Sequence, residues 1–463
     1  MHSAVSDYAQ NVNLESLKAI IGPNVIEEDQ DIISGATSDW TRRYQGHSTA
    51  LALPTSTSEV AEILKWCSSN SISVVPQGGN TGMVGGGVPM NGELILSLKK
   101  MTKIEFVDGA PAQLIADAGA TLSTIQREAA KNGWEYGVDF SARESATIGG
   151  TIATNAGGNH VIRYGDTRKQ LISVEAVTAE GIIVGDIRGL VKDNTGYHLP
   201  SFLCGSEGTL AVITRARLGL WAKPEEKVVV LVGLESVEEA LDIARLFAST
   251  NQDMQASEIF FQNGLALVCN RFEIKPPWGG KHSTYLLLEF AGPKGVLERI
   301  QASNHGQILQ NTESVAIGED EASRSRLWRY RSLHTEAISG VGIPHKLDVT
   351  VPHHQLPYFM NTVGSIVEGC ASDSETYLFG HAGDGNIHVN VIGPNENDLT
   401  IDKAVLEFVS SLGGSISAEH GIGRAKAAYL HLRRTPEEIR LFKDLKNVFD
   451  PIGILNPGVI FFE

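Results

Sequence analysis

The chain is poor in cysteine and in positive charge, and it has no long apolar run; each shortage excludes a class of protein. Its four cysteines form no CxxC pair, which fits a reducing compartment and a fold without disulfides. Lysine and arginine total 38 against 54 acidic residues, a net charge of -16 that would repel a nucleic-acid backbone. No stretch approaches the roughly 18 apolar residues of a membrane span. Met1–Ile20 holds one lysine and no arginine, so we predict no targeting signal and a cytoplasmic protein.

The chain is long and rich in glycine. Its 463 residues include 48 glycines, and at roughly 150 residues per domain this length predicts two or three domains. Glycine-rich loops and short strands fill the chain up to Pro224; beyond it, amphipathic helices and alternating strands predict an antiparallel α+β domain. We predict helices at 58–70, 236–247 and 322–338, a hairpin at 171–184, and a strand at 345–351.

Several glycine-rich loops lie within the first half. Pro76–Gly82 directly follows a predicted strand, where glycine lets backbone N–H groups approach an anionic group. It contains neither a G-x-G-x-x-G nor a P-loop motif, and a tight structural turn is the alternative. In the second loop, Ile148–Gly158, Thr154 and Asn155 are candidate donors to the edge of a flat ring. Asp193–Tyr197 and Gly205–Leu210 are two more glycine-rich loops. Structural turns alone are a poor explanation for four such loops in one half of the chain.

Together these loops resemble the FAD-binding domain of the vanillyl-alcohol oxidase and p-cresol methylhydroxylase superfamily. The matching motifs are PQGGNTG at 76–82, IGGTIATNAGG at 148–158, RYG at 163–165, KDNTGY at 192–197 and GSEGTL at 205–210. The resemblance implies an α+β fold, with a two-subdomain FAD-binding domain, an α+β substrate domain with an antiparallel sheet, and a helical C-terminal segment. We assign an N-terminal arm to 1–45, the FAD-binding domain to 46–223, the substrate domain to 224–415 and the C-terminal segment to 416–463.

The same resemblance implies which residues bind the cofactor. They are Pro76, Gln77, Gly78, Gly79, Asn80, Thr81, Gly82, Ser145, Gly149, Gly150, Thr154, Asn155 and Glu207. The 77–82 loop would hold the pyrophosphate, and the residues from 145 to 155 would line the flavin. Some superfamily members attach FAD through a histidine in the pyrophosphate loop. This loop has no histidine, so we expect FAD to be bound non-covalently.

Histidines dominate the chemistry of the second half. Gly380–Asn390 carries His381 and His388, seven residues apart, and Gly383 and Gly385 should break the strand between them. We therefore expect His381 in a loop, and His388 with Asn390 on one face of the strand that follows. The segment Ser417–Gly423 supplies the adjacent pair Glu419 and His420. Two histidines and a carboxylate with an open position are typical of a catalytic divalent-metal site, whereas a lone histidine is more often structural.

The motifs GHAGDGNIH and SAEHGIG resemble those of the FAD-linked D-2-hydroxyacid dehydrogenases, which include D-lactate, glycolate and D-2-hydroxyglutarate enzymes. The resemblance implies that His381, His388 and Glu419 bind a zinc-like ion and that His420 is the base. The chemistry is consistent: a divalent ion lowers the pKa of the substrate hydroxyl, and a neutral imidazole accepts its proton.

Three further residues predict what the substrate carries at its far end. Arg331 and Thr335 lie four apart on a predicted helix, and Lys346 shares a strand face with Asp348 and Thr350. Solvated surface charges are the alternative interpretation. The trio resembles the D-2-hydroxyglutarate branch of the family, where such residues hold a distal carboxylate. We assign Asn390 to substrate binding as well.

The sequence thus predicts an FAD- and divalent-metal-dependent dehydrogenase that converts D-2-hydroxyglutarate to 2-oxoglutarate. D-lactate, D-malate or glycolate is the alternative substrate within the family. A zinc hydrolase in which Glu419 activates water is an alternative from another class, and so is a protein that only binds flavin or metal. We expect zinc as the metal and an electron-transfer flavoprotein or a quinone as the electron acceptor, and the sequence leaves a homodimer open.

Overall fold

The computed structural model describes residues 14–109, 111–190, 192–250, 252–280, 282–303, 306–310 and 314–462. Residues 1–13, most of the segment in which we predict no targeting signal, lie outside these ranges. The chain divides into two compact units. The first comprises the described residues up to Gly157, Asp166–Ala222 and those from Glu419 onward; the second comprises Gly158–Gly165 and Lys223–Ala418. Across the described ranges, none of the helices has both the length and the apolar character needed to cross a bilayer.

The first unit contains two main sheets and a small one. Its strands are β1 Ile26–Glu27, β2 Leu51–Ala52, β3 Val74–Gln77, β4 Leu94–Ser97, β5 Ile104–Val107, β6 Gln113–Asp117, β7 Trp134–Glu135, β8 Leu171–Val177, β9 Ile183–Gly185, β10 Val212–Gly219 and β11 Trp221–Ala222. One sheet has the order β1-β2-β4-β3, with β4 parallel to both β2 and β3. The other has the order β5-β6-β10-β8-β9 and is antiparallel, while β7 pairs with β11. The predicted hairpin at 171–184 is confirmed as β8 and β9.

Helices cover these sheets, and the buried apolar residues of the first unit form two large clusters and a smaller one. They are Leu14–Ile21, Gln30–Ser34, Thr57–Ser69, Leu122–Lys131, Ile148–Thr154, Thr167–Gln170, Leu199–Leu203 and Pro436–Phe449, with 3-10 turns at Pro23–Val25 and Ala427–Leu432. One buried cluster gathers around Ile63 and Leu96, and another around Ile125 and Leu218. Two large cores are what a two-subdomain domain requires.

The helix Thr57–Ser69 illustrates how the local sequence determines an element. The Ser56 hydroxyl accepts a hydrogen bond from the amide of Glu59, which caps the first turn. Val60, Ile63 and Leu64 recur at helical spacing, and all three are fully buried. The predicted helix at 58–70 is confirmed, with its start one residue earlier.

The second unit is built on one large sheet. Its strands are β12 Glu226–Leu234, β13 Met254–Phe261, β14 Thr284–Gly292, β15 Val315–Gly318, β16 His345–Thr350, β17 Glu375–His381 and β18 Asn386–Ile392. They lie in the order β15-β12-β14-β13-β17-β18-β16, and neighbouring strands pair antiparallel. The helices are Val161–Tyr164, Val237–Thr250, Gln262–Arg271, Val296–Ala302, Glu321–Ser332, His334–Ser339, Leu356–Cys370 and Thr400–Ser411, with 3-10 turns at Gly306–Gln310 and His353–Gln355. The predicted α+β class with an antiparallel sheet is confirmed.

The predicted continuous helix at 322–338 is wrong. Two helices occupy this stretch, Glu321–Ser332 and His334–Ser339, separated at Leu333. The cause is local: the buried imidazole of His334 forms a hydrogen bond through Nδ1 with the carbonyl oxygen of Arg331, at 3.1 Å. In an unbroken helix that carbonyl would accept from the amide of Thr335. Arg331 and Thr335 therefore do not share one regular helix face.

The expected loop position of His381 is also wrong. His381 is the last residue of β17 and pairs with Asn386, the first residue of β18. The glycines do interrupt the chain, but they lie in the tight connection between the two strands, so His381 and His388 lie on neighbouring strands of one hairpin.

Candidate functional site

The segment after β3 presents backbone amides. Within the described part of the chain, the N–H groups of residues 78–82 have no hydrogen-bond acceptor. The neighbouring side chains are engaged: the Gln77 amide nitrogen donates to two backbone carbonyls at 2.6 and 2.7 Å, and that of Asn80 donates to a third at 2.9 Å. A run of unpaired amides at a strand end attracts an anionic group such as a phosphate.

Two glycines allow this segment to lie directly against the second glycine-rich stretch. A Cβ at Gly79 would lie 1.8 Å from the carbonyl oxygen of Ser145, and one at Gly78 would lie 2.2 Å from the hydroxyl of Thr147. A Cβ at Gly82, in contrast, would meet nothing within 4 Å. The Thr147 hydroxyl is buried and has no hydrogen-bond partner among the described residues. Open backbone and an unsatisfied hydroxyl fit a cofactor that carries phosphates.

The helix Ile148–Thr154 follows, and its polar residues bond within the unit. A Cβ at Gly149 would lie 2.7 Å from that of Ala118, which explains glycine there. The Thr154 hydroxyl donates to the carbonyl of Gly150 at 3.1 Å. Asn155, at φ 51°, donates to the carboxylate of Asp166 at 2.8 Å. Both side chains predicted to donate to a flavin are thus already engaged, and their role in cofactor binding stays a prediction.

Glu207 is a buried carboxylate that holds the chain after the Glu419–His420 pair. It accepts hydrogen bonds from the amides of Ile422 and Gly423 at 2.8 and 2.7 Å. Burial raises the pKa of its carboxyl to about 7, although these two bonds and the charge of Lys426 act in the opposite direction. The Glu207 backbone carbonyl also accepts from the side chain of Asn456.

In the second unit, strand register gathers the polar residues on one face of the sheet. Residues directly opposite each other on antiparallel strands point to the same side, as do residues two apart on one strand. Glu258 on β13 is opposite His381 on β17, and two residues before His381, Phe379 is opposite His388 on β18. By the same rule, Asn390 lies two residues after His388 on β18, and Asp348 and Lys346 on β16 are opposite His388 and Asn390. The polar face defined in this way comprises Glu258, His381, His388, Asn390, Lys346 and Asp348.

Glu258 connects two of the predicted site residues. One carboxylate oxygen lies 2.6 Å from Nδ1 of His381, and the other lies 2.7 Å from Nε of Arg331. The glutamate is 0% exposed, and Arg331 and His381 are buried as well. The Arg331 guanidinium also lies over the ring of Phe379, 4.5 Å from its centroid. Arg331 is therefore not a surface charge, which removes the alternative interpretation for this residue.

His388 lies beside a second carboxylate. Its Nδ1 is 3.5 Å from an oxygen of Asp348, and its ring centroid lies 5.5 Å from that of His381. Asp348 is buried and accepts from the side chain of Asn386 at 2.8 Å and from the amide of Ala418 at 3.1 Å. Among the described residues, Asp348 and His388 belong to a group of side chains that could hold a metal ion, and His381 is not a member of that group, so its role as a ligand stays a prediction.

Lys346 and Asn390 face each other across β16 and β18. Burial lowers the pKa of Lys346 to about 8, so it remains a cation at neutral pH. Asn390 is 2% exposed, and its amide nitrogen meets no acceptor in the described ranges. Thr335 is half-buried in the short helix that follows Arg331. A buried cation and an unused amide donor on one polar face are suited to an anionic ligand.

Glu419 and His420 directly follow Ala418, whose amide is bonded to Asp348. The local sequence favours a loop here, because Gly421 and Gly423 both adopt positive φ angles, of 84° and 53°. A Cβ at Gly421 would lie 2.9 Å from the carboxylate of Glu207, so glycine is also needed for that contact.

Sequence reasoning missed the role of two acidic residues. Asp348 was placed on the correct strand face without a partner, and Glu258 was not selected at all. Glu258 is the one acidic residue in the strand sequence MQASEIFF, and a charge within an otherwise apolar strand is the signal that could have identified it. Its partners, 73 and 123 residues away, could not be read from that signal.

Comparison with known proteins identifies the class. Residues 48–185 match the family described as the FAD binding domain, and residues 223–460 match the C-terminal domain of FAD linked oxidases. The chain therefore belongs to the FAD-linked oxidase family, and it is an FAD-dependent oxidoreductase. This finding confirms the predicted resemblance and removes the hydrolase alternative.

Relatives that align over most of the chain share one name within this family. The chain is 35% identical to the D-2-hydroxyglutarate dehydrogenase of Xanthomonas citri pv. viticola over 91% of each chain. It is 33% identical to the enzyme of that name from Stutzerimonas stutzeri, over 97% of this chain and 98% of the relative. The mitochondrial D-2-hydroxyglutarate dehydrogenase of Bos taurus is also 33% identical, over 96% of this chain and 82% of its own.

Solved structures support the fold independently. Substrate-bound p-cresol methylhydroxylase has a TM-score of 0.77 at 14% identity, over 97% of this chain and 96% of its own. Alkyldihydroxyacetonephosphate synthase has a TM-score of 0.73 at 18% identity, over 96% of this chain and 84% of its own. At these identities the likeness concerns the fold alone, and it confirms the p-cresol methylhydroxylase type predicted from the glycine-rich motifs.

Proposed function

We propose that the protein oxidises D-2-hydroxyglutarate to 2-oxoglutarate with FAD and a divalent metal ion. The observation that carries the proposal is the polar face of the second unit, which combines two histidines, two carboxylates, a buried lysine and an unused amide donor. The names of the full-length relatives point to the same substrate.

The dimensions of the polar face suit a dicarboxylic acid. Lys346 and Asn390 each lie two residues along their strands from Asp348 and His388, which is roughly 7 Å. An extended five-carbon diacid separates its two carboxylates by a comparable span. If the α-carboxylate and the hydroxyl lie beside the histidines, Lys346 and Asn390 are within reach of the distal carboxylate. Lactate has no group to place there.

In the proposed mechanism, His381, His388 and Glu419 would hold the ion and thereby orient the substrate. The chemistry supplied by the bound groups is polarisation of the hydroxyl by the ion and acceptance of a hydride from the α-carbon by FAD. His420 accepts the hydroxyl proton at an imidazole nitrogen, a role that requires the neutral ring. Arg331 and Lys346 neutralise the distal carboxylate, and Asn390 donates an N–H to the substrate.

Cofactor binding in the proposal relies on the first unit. The amides of residues 78–82 would hold the pyrophosphate, and the 145–155 segment would line the flavin. The resemblance alone supports the electron-transfer flavoprotein or quinone as acceptor and zinc as the ion, and the cytoplasmic location stays a prediction from the sequence.

A substrate panel tests the proposal. Turnover with an artificial dye acceptor should be highest for D-2-hydroxyglutarate and lower for D-malate and D-lactate, and it should be absent for the L-enantiomers. A preference for D-lactate would contradict the assigned substrate, while the FAD and metal assignments would survive. Failure of all 2-hydroxy acids would contradict the proposed function altogether.

A further inference from the structure

The carboxylate of Glu258 is shared between two buried cationic or polar partners. Its two oxygens contact Nδ1 of His381 at 2.6 Å and Nε of Arg331 at 2.7 Å, and none of its surface is exposed. A buried charge is costly unless it is paired and hydrogen-bonded on both sides. Replacing either partner would therefore leave an unsatisfied charge or donor in the interior of the second unit.

The contact with His381 determines which ring nitrogen is directed away from Glu258. A carboxylate only accepts, so Nδ1 of His381 is the donor in this contact, and Nε2 is the nitrogen on the far side of the ring. A carboxylate behind a histidine in this way fixes the tautomer and the ring orientation that a metal ligand needs. Asp348 is similarly placed behind Nδ1 of His388, at the longer distance of 3.5 Å.

The contact with Arg331 determines which edge of the guanidinium is free. Nε forms an ion pair with Glu258 at 2.7 Å without hydrogen-bond geometry, and the guanidinium carbon lies 4.5 Å from the centroid of the Phe379 ring. In the described part of the second unit, no hydrogen bond joins the two terminal nitrogens of Arg331 to a protein acceptor. These terminal nitrogens form the fork that binds a carboxylate at two points, and Glu258 fixes the direction in which the fork faces.

We propose that Glu258 is a positioning residue shared by both ends of the substrate site: it orients His381 for the metal ion and Arg331 for the distal carboxylate. This inference rests on the proposed function, because it takes the ion and the dicarboxylate from it. The consequence is that metal affinity and the preference for a dicarboxylate depend on one side chain that touches neither ligand.

Glutamine at this position separates positioning from simple support of the fold. The variant Glu258→Gln keeps the size of the side chain but offers only one acceptor oxygen to two partners that both donate. If the glutamine oxygen faces His381, the glutamine N–H groups point at the N–H of Arg331, and two donors oppose each other. If the glutamine oxygen faces Arg331, a glutamine N–H donates to Nδ1 of His381. The histidine proton must then move to Nε2, where metal binding requires a lone pair.

The experiment uses the FAD-loaded full-length protein, stripped of metal with a chelator. Zn²⁺ affinity is measured by competition with a chromophoric chelator, and kcat/KM is measured for D-2-hydroxyglutarate and D-lactate. For Glu258→Gln we expect a loss of about 10- to 100-fold in Zn²⁺ affinity, in the dicarboxylate-to-lactate ratio of kcat/KM, or in both. A folded, yellow variant that matches the wild type in both measurements would overturn the inference.

Glu289→Gln is the matched control. Glu289 is also a buried glutamate of the same sheet, it lies 3.3 Å from Nε2 of His160, and it accepts from Gln255 at 2.6 Å. Glu289 lies on the same side of the sheet as Glu258, but its partners are His160, Gln255 and Trp328 and not a residue of the polar face, so its variant should retain wild-type Zn²⁺ affinity and substrate ratio. Equal losses in the two variants would identify a general packing effect and would also overturn the inference.

Two further measurements keep the outcomes distinct. If Glu258→Gln does not fold, Glu258→Asp tests the same point, because the shorter carboxylate cannot reach both partners; wild-type values for both measurements would again refute the inference.

The wild-type protein is measured first. If it neither binds Zn²⁺ nor oxidises a 2-hydroxy acid, the proposed function fails, whereas a functional wild type with an unaffected Glu258 variant refutes only the positioning role.

Discussion

Removing the charge of Lys346 is the sharpest test of what the substrate carries at its far end. Lys346 is buried on β16 opposite Asn390, and burial lowers its pKa to about 8. At pH 7 the ammonium form therefore predominates. Lys346→Met retains most of the aliphatic stem and removes only the charge.

The size of the effect follows from the burial of this cation. A hydrogen bond to a charged group contributes about 1.5 to 3 kcal/mol. At 1.4 kcal/mol per factor of ten, its loss should lower kcat/KM for D-2-hydroxyglutarate by roughly ten- to a hundredfold. D-lactate has no distal carboxylate, so its kcat/KM should change little.

The assay is steady-state turnover of both substrates at pH 7 with a dye acceptor. Lys403→Met is the matched control, because Lys403 is an exposed lysine of the same unit and should be neutral for both substrates. If Lys346→Met reduces D-2-hydroxyglutarate and D-lactate turnover by the same factor, the lysine serves the shared α-carboxylate or the fold, and the reasoning about the distal group is refuted.

Three further predictions address the cofactor, the metal and a buried acid. Acid precipitation should release all the flavin, because the 77–82 loop has no histidine or cysteine; flavin retained in the pellet would contradict this. His388→Ala should lose metal and turnover with its flavin spectrum intact, whereas His420→Ala should keep the metal and lose about 10² to 10⁴ in turnover; full activity without metal would contradict the site. The raised pKa of Glu207, about 7 against 4.5, favours folding at low pH, and this contribution disappears as pH rises through 7. At 1.36 kcal/mol per pKa unit, the free energy of unfolding of the wild type should therefore fall by about 3 kcal/mol more than that of Glu207→Gln between pH 4 and pH 8. Melting temperatures of the two proteins that change in parallel with pH would refute this prediction.

Local patterns predicted the elements whose causes are local. The helix Thr57–Ser69 follows from a serine cap and apolar residues at helical spacing, and β16 follows from strict alternation. The split at Leu333 was missed, because it depends on the His334 side chain competing for a backbone carbonyl. Helical periodicity continues across such a break and gives no warning of it.

Contacts between distant segments could not be predicted in the same way. Gly158–Gly165 belongs to the second unit because Arg163 donates to the carbonyls of Asp253 and Ala291, and Tyr164 donates to Gln255. The pairing of β13 with β17 likewise depends on sheet order, and it alone places Glu258 beside His381. The motifs predicted candidate metal and cofactor residues, whereas the carboxylates beside the two histidines could be found only from the register of the sheet.

Anaerobic titration of the purified protein with D-2-hydroxyglutarate tests the central claim most directly. The oxidised flavin absorption should bleach in proportion to added substrate until one equivalent per flavin has reacted, and 2-oxoglutarate should appear in equal amount. The L-enantiomer should leave the spectrum unchanged. A flavin spectrum that persists through excess D-2-hydroxyglutarate, while another 2-hydroxy acid bleaches it, would contradict the assigned substrate.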